Sequence, residues 1–138
     1  MTGNCPKFRR EPAEQRKEAL ILATLALIAE QGVRGATVRA IAKHAEVTPG
    51  LIRHYFSSKE ELIAAAYAYH MSQMTDQTAA QDLLANASAK ARLRAFVVAG
   101  LVPPVVDPDS VGLWASFLNT VRVDAGMKDI HKQTYYDF

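Results

Sequence analysis

The chain is poor in the residues that cross-link or punctuate a fold. It has one cysteine, Cys5, so no intrachain disulfide can form and a disulfide-stapled scaffold is excluded. Only seven residues are glycine, and none sits in a Gly-rich loop of the kind that cradles phosphate. No stretch reaches the roughly 18 uninterrupted apolar residues of a membrane-spanning helix. Lys7, Arg9, Arg10 and Glu11 interrupt any early apolar run, which argues against a secretory leader, and a cytoplasmic protein is expected. No Cys or His lies at metal-ligand spacing near His54. No Ser/His/Asp or Cys/His arrangement has supporting context. Neither an enzyme, a metal site nor a bound cofactor is expected.

What is present is apolar and helical. Hydrophobic residues make up 49% of the chain, ample for a core, and they recur with a period near 3.6 almost throughout. That pattern predicts an all-α protein. Charge is unevenly spread. Residues 1–60 hold ten Lys/Arg against six Glu, a balance of +4, and residues 61–138 hold six Lys/Arg against eight Asp/Glu, a balance of −2. A basic first half suits a nucleic-acid module followed by something else, although a difference of this size also arises by chance.

The most informative stretch is Thr37 to Phe56, TVRAIAKHAEVTPGLIRHYF, which reads as two short helices joined by a tight turn. In the first, Val38, Ile41, Ala42 and Ala45 form one apolar stripe, and Thr37 before it is a good N-cap. In the second, Thr48 is the cap and Pro49 takes the first helical position, where a missing N–H does no harm. Val47 fills the angle of the turn. The second helix is expected to bury Ile52 and Phe56. Its other face then presents Gly50, Arg53 and His54, with Tyr55 on the flank. A helix apolar behind and small, basic and polar in front fits a DNA major groove.

Around this motif the chain divides into a basic arm (1–11), a helix-turn-helix unit (12–57) and a further helical region (58–138). The arm is either a plain tail or a contact to phosphates or a minor groove. A first helix runs from Pro12 to about Gln31, burying Leu20 or Ile21, Thr24, Leu25 and Ile28, and Gly32 ends it. Ser58 and Glu61 make a capping box at the front of a fourth helix. That helix buries Leu62, Ala65, Ala66 and Tyr69 and reaches to about Ala80. A fifth helix, Ala89 to about Val102, turns Leu93, Phe96, Val97 and Leu101 inward. Asp107 or Asp109 caps a sixth helix with a stripe of Val111, Trp114, Ala115 and Leu118, Phe117 lying beside it. Ala125-Gly126 breaks that helix, and a last one starts near Met127. His70 and His131 read as plain surface residues or satisfied core residues.

Ile21, Ala23, Leu25, Gly32, Ala36-Thr37-Val38, Ile41-Ala42, Ala45, Val47, Thr48, Gly50, Ile52, Tyr55-Phe56, Lys59 and Leu62 stand at a specific spacing. Over residues 12–65 it resembles the DNA-binding domain of the TetR family of bacterial transcriptional repressors. The ATL at 23–25, HYF at 54–56 and WASF at 114–117 are similar to the choline-responsive BetI-like repressors of that family. The resemblance implies a homodimeric regulator that binds double-stranded operator DNA and is released by a small-molecule effector. It places Thr48, Pro49 and Gly50 at the front of the reading helix, with Arg53 and His54 in the groove. Tyr55 and Lys59 would hold phosphates, and Thr37 and Arg39 would touch the backbone from the second helix. Arg53 is the best candidate for reading a base, because a guanidinium pairs bidentately with guanine.

The chain departs from the family pattern in two ways. Glu46 stands in the turn where glycine is usual, and a positive φ there would cost on the order of 1 kcal/mol. Family chains also continue further, and their last helices make the dimer contact. Here the final helix has no stop signal before Phe138. The region 58–138 is therefore expected to be a partial regulatory and dimerisation domain. A protein of these residues alone is expected to be mainly monomeric or aggregation-prone and to bind operator weakly.

Trp114, Phe117 and Tyr135 (with Tyr136) allow two readings: an aromatic cage for a choline-like cation, or a helical core stripe. The competing functional reading is a helical interaction module without operator-specific DNA binding. A salt-dependent shift assay separates the two.

Overall fold

The computed structural model describes residues 12–79 and 86–136, with the side chains of 76–79 excepted. The expected arm at 1–11, Ala80 and Phe138 lie outside the described residues. Among the described residues there are seven α-helices and no strand. They are α1 (Pro12–Gly35), α2 (Val38–His44), α3 (Pro49–Tyr55), α4 (Lys59–Ala79), α5 (Ala89–Ala99), α6 (Pro108–Val123) and α7 (Ala125–Tyr136).

α1 is central to the packing and lies against α2, α4 and α6. It buries Leu20, Ile21, Thr24, Leu25, Leu27 and Ile28. Thr24 is fully buried without leaving an unmatched polar atom, since its hydroxyl donates to the Leu20 carbonyl at 2.7 Å. At Gly32 the backbone takes φ 73° and ψ 172°, a region open essentially to glycine alone. The expected stop is thus a kink, after which the helix resumes as far as Gly35.

One hydrophobic cluster runs through both halves. Ile41, Ala42, Ile52 and Phe56 of the helix-turn-helix join Leu62, Ile63, Ala66 and Tyr67 of α4, and then Leu113, Phe117 and Val121 of α6 and Met127 of α7. At 1.5 Å per residue, the 21 residues of α4 make a rod about 30 Å long. It leads from the end of α3 into the second half.

In that second half several faces are turned from their expected positions. α4 buries Leu62, Ile63, Ala66, Tyr67, His70 and Met71, whereas Ala65 and Tyr69 are half-buried. The cause is that α4 packs against α1 on one side and α7 on another, so it needs a broader apolar arc than one stripe. Tyr69 lies at the edge of that arc, its hydroxyl 3.3 Å from the Glu18 carboxylate of α1. α6 buries Leu113, Phe117 and Val121, while Val111 and Ala115 are exposed. α5 ends at Ala99 and buries nothing: Leu93, Phe96, Val97 and Leu101 are all exposed. Its only substantial neighbour among the described helices is α4.

The break between α6 and α7 falls at Asp124 (φ −111°, ψ 123°), before Ala125-Gly126. The Asp124 carboxylate accepts from the Met127 N–H at 2.8 Å, which caps α7 and draws its start two residues forward of Met127. Asp107 caps α6, accepting from the N–H groups of Asp109 and Ser110, both at 3.1 Å.

Candidate nucleic-acid interface

The helix-turn-helix is held by local bonds that the sequence spells out. The Thr37 side chain accepts from the Ala40 N–H at 3.2 Å and caps α2. The chain leaves α2 with Ala45 N–H bonded to the Ile41 carbonyl at 2.8 Å and Val47 N–H to the Ala42 carbonyl at 2.9 Å. Between them Glu46 takes φ 55°, the left-handed conformation that this turn requires and that glycine adopts most easily. Thr48 then caps α3, its oxygen accepting from the Leu51 N–H at 3.3 Å, with Pro49 in the first turn.

This geometry fixes which way α3 faces. Ile52 and Phe56 are each 2% exposed and press into the core. Gly50, Arg53 and His54 are exposed, and Tyr55 is half-buried with its ring edge-on to His54 at 5.0 Å. Phe56 is also held from α1, where the Lys17 ammonium lies 5.6 Å from its ring centroid. Thr37, Arg39, Thr48 and Pro49 are exposed as well. The expected site residues of α2 and α3 are thus exposed, save Tyr55, which is half-buried. Lys43 is exposed too and follows Arg39 by one turn of α2. The sequence reading passed over it, although the i, i+4 spacing was there to find.

Lys59 is half-buried in the first turn of α4, directly after the motif. The cap of that helix differs in one bond from the expected box. Ser58 Oγ accepts from the Glu61 N–H at 3.0 Å as expected. The Glu61 carboxylate, however, reaches past Ser58 to Ser57, accepting from its N–H at 2.7 Å and its hydroxyl at 2.5 Å. Those bonds from Ser57, first the side chain and then the backbone, hold the Glu61 carboxyl below its ordinary range, with a smaller contribution from Lys17.

A second feature lies between α4, α6 and α7, a cavity of about 290 Å³. Trp114 and Tyr135 both line it, together with Met71 and Met74 of α4. Phe117 is placed apart from these two. It is fully buried, tilted against Tyr67 at 4.9 Å and stacked on His70 at 6.4 Å. Tyr67, which the sequence reading missed, pairs through its hydroxyl with His131 Nδ1 and so ties α4 to α7. Burial, the largest cause, pushes its phenol up to about 12. His70 is buried with Nε2 unpartnered; burial lowers its pKa, and the Ser110 backbone opposes that shift.

An all-α fold entered through a helix-turn-helix, with the second helix of the motif turning a basic polar face outward, defines a protein of the helix-turn-helix class. Residues 20–66 match the model of the family described as bacterial regulatory proteins, tetR family. Over that stretch the chain carries the sequence of the family's domain, and over most of its length it is similar to BetI regulators. It is 33% identical over 117 residues to the HTH-type transcriptional regulator BetI of Rhizobium meliloti (strain 1021), spanning 85% of this chain and 56% of that protein. Against BetI 2 of Chromohalobacter salexigens it is 34% identical over 113 residues, 81% of this chain and 54% of that one. The chain thus spans little more than half the length of these curated relatives. Among solved structures, a candidate transcriptional regulator from Pseudomonas aeruginosa PAO1 superposes with a TM-score of 0.83 at 32% identity, covering 96% of this chain and 64% of the other. A candidate regulator from Saccharomonospora viridis in complex with choline shares the fold, with a TM-score of 0.75 at 20% identity over 90% of this chain and 64% of that one.

Proposed function

We propose that the chain is the operator-binding and effector-sensing part of a transcriptional regulator, most simply a repressor working in the cytoplasm. The observation that carries this reading is the two-faced α3, with Ile52 and Phe56 buried behind and Arg53 and His54 free in front. With its back fixed, α3 enters the major groove. Gly50 lets the backbone approach, Arg53 reads a guanine edge, and His54 lies beside it. Thr37 and Thr48 accept cap bonds through oxygen, which leaves each hydroxyl proton to donate to a phosphate. Arg39, Lys43, Tyr55 and Lys59 supply further backbone contacts, and Pro49 sets the start of the helix. Residues 12–57 form the DNA-reading unit, 58–138 the sensing and dimerising one, and 1–11 a basic arm. In a two-fold dimer the paired α3 helices reach successive major grooves about 34 Å apart.

The cavity at the far end of α4 is the effector site in this reading. A choline-like cation is favoured by Trp114 and Tyr135 in its walls and by choline in the S. viridis fold neighbour.

The test is a shift assay over a salt series, comparing palindromic DNA from upstream of the gene with a scrambled duplex. The expected result is preference for the palindrome and a log-linear loss of affinity with salt. Absence of binding to either duplex at low salt would replace this reading with the helical interaction module.

A further inference from the structure

We infer that α3 reads a thymine beside its guanine, with the thymine methyl seated on the bare Cα of Gly50; this rests on α3 being the reading helix. Nothing among the described residues explains a glycine at this position. Gly32 holds a positive φ that glycine takes most easily, and a Cβ at Gly35 would lie 2.5 Å from the Cβ of Gln31. Gly50 has ordinary helical backbone inside α3, and among the described residues a Cβ there would meet only the Thr48 hydroxyl oxygen, at a normal contact distance of 3.8 Å. Alanine would fit and would hold the helix better. The space is therefore open to a body outside the chain. Gly112 in α6 is equally open, so openness alone does not name that body. At Gly50 the neighbouring side chains name it.

Pro49, Gly50, Arg53 and His54 are the exposed positions of α3. At about 100° per residue they span one arc, and Gly50 and Arg53 stand at its middle. The middle of that arc reaches deepest into a major groove, where the base edges lie, while its flanks meet the phosphate walls. Three residues advance a helix by about 4.5 Å, compared with about 3.4 Å between successive bases of one strand. With Arg53 on the O6 and N7 of a guanine, Gly50 faces the neighbouring base pair. A bare Cα has no side-chain donor or acceptor with which to read a polar edge. What it admits is bulk, and the thymine C5-methyl is the apolar group that projects into this groove.

The test is fluorescence anisotropy of the whole chain on the upstream palindrome and on its scrambled duplex, each prepared with thymine and with uracil in place of every thymine. Uracil keeps the base pairing and removes only the C5-methyl. The wild-type chain is expected to lose about four-fold in affinity per half-site on the uracil palindrome, the size of one buried methyl, and nothing on scrambled DNA. Gly50→Ala should raise the thermal midpoint yet weaken binding to the thymine palindrome at least about ten-fold. It should lose less on the uracil palindrome, where its Cβ takes the place of the methyl. Gly112→Ala should raise the midpoint and leave binding to every duplex unchanged. A wild-type chain indifferent to uracil on a palindrome it prefers overturns the inference and leaves the reading helix standing. Equal losses by Gly50→Ala on the two palindromes assign the space to a phosphate or sugar, and a lowered midpoint assigns the glycine to the fold; either overturns the inference. No preference for the palindrome over scrambled DNA overturns both the inference and the operator reading.

Discussion

The two ends of the α4 rod are built on different terms. At one end, α2 and α3 are only seven residues each, yet each is capped by its own threonine and each buries a defined face. At the other, α5 has eleven residues and a serine cap but buries none of its side chains. Good local signals start a helix in both places. They orient it only where a partner helix receives its apolar face. The motif has such a partner in α1, whereas α5 lies mainly against α4 and leaves Leu93 64% and Val97 51% exposed.

The sharpest way to break this contrast is to put a charge at each end. Ile41→Asp buries a carboxylate at a site with no solvent exposure and should cost about 4 kcal/mol or more, seen as loss of helical circular dichroism and of DNA binding. Leu93→Asp should change stability by no more than about 0.5 kcal/mol in the same denaturant titration. A folded, DNA-competent Ile41→Asp protein would mean that the motif is not anchored as described.

Next in size come the DNA contacts. Arg53→Ala should cost about 1–3 kcal/mol on the preferred site and little on scrambled DNA, measured by anisotropy. Lys59→Ala should weaken all sequences alike and reduce the salt slope by about one. Equal losses from the two variants on both duplexes would dissolve the distinction between reading and positioning.

A smaller effect tests the turn. Glu46→Gly relieves a left-handed backbone and should stabilise by about 1 kcal/mol, raising the thermal midpoint. Glu46→Gln, which keeps the Cβ, should not.

The last contrast is read through pH. The buried His70 ring has a lowered pKa in the folded chain, so below its ordinary value of 6.5 the unfolded chain takes up the proton first. Stability from this group is present above that pH and is lost as pH falls through the interval down to the folded value. The thermal midpoint should drop across that window, and His70→Leu should flatten the part of the drop that wild type shows and the variant lacks.

The motif was legible in the sequence because its determinants are near neighbours. Thr37 with Ala40, Thr48 with Pro49 and Leu51, and Ile52 with Phe56 all lie within four residues of each other. The all-α class followed equally from the apolar period. The faces of α4 and α6 were not legible, since they depend on contacts between distant segments. Tyr67 is buried because α6 brings Phe117 and α7 brings His131 to it, 50 and 64 residues along the chain. The cavity was half legible. Trp114 and Tyr135 were singled out as aromatics, but the placement of Phe117 in the core emerges only from packing.

The central claim is that the outward face of α3 reads DNA sequence, and selection from a randomised duplex library measures it most directly. The wild-type chain and Arg53→Ala would be taken through the same rounds and the enriched sequences compared. The account expects a short guanine-containing motif to be enriched by the wild-type chain and lost with Arg53→Ala. Enrichment of the same motif by both proteins, or of none by the wild-type chain, would contradict it.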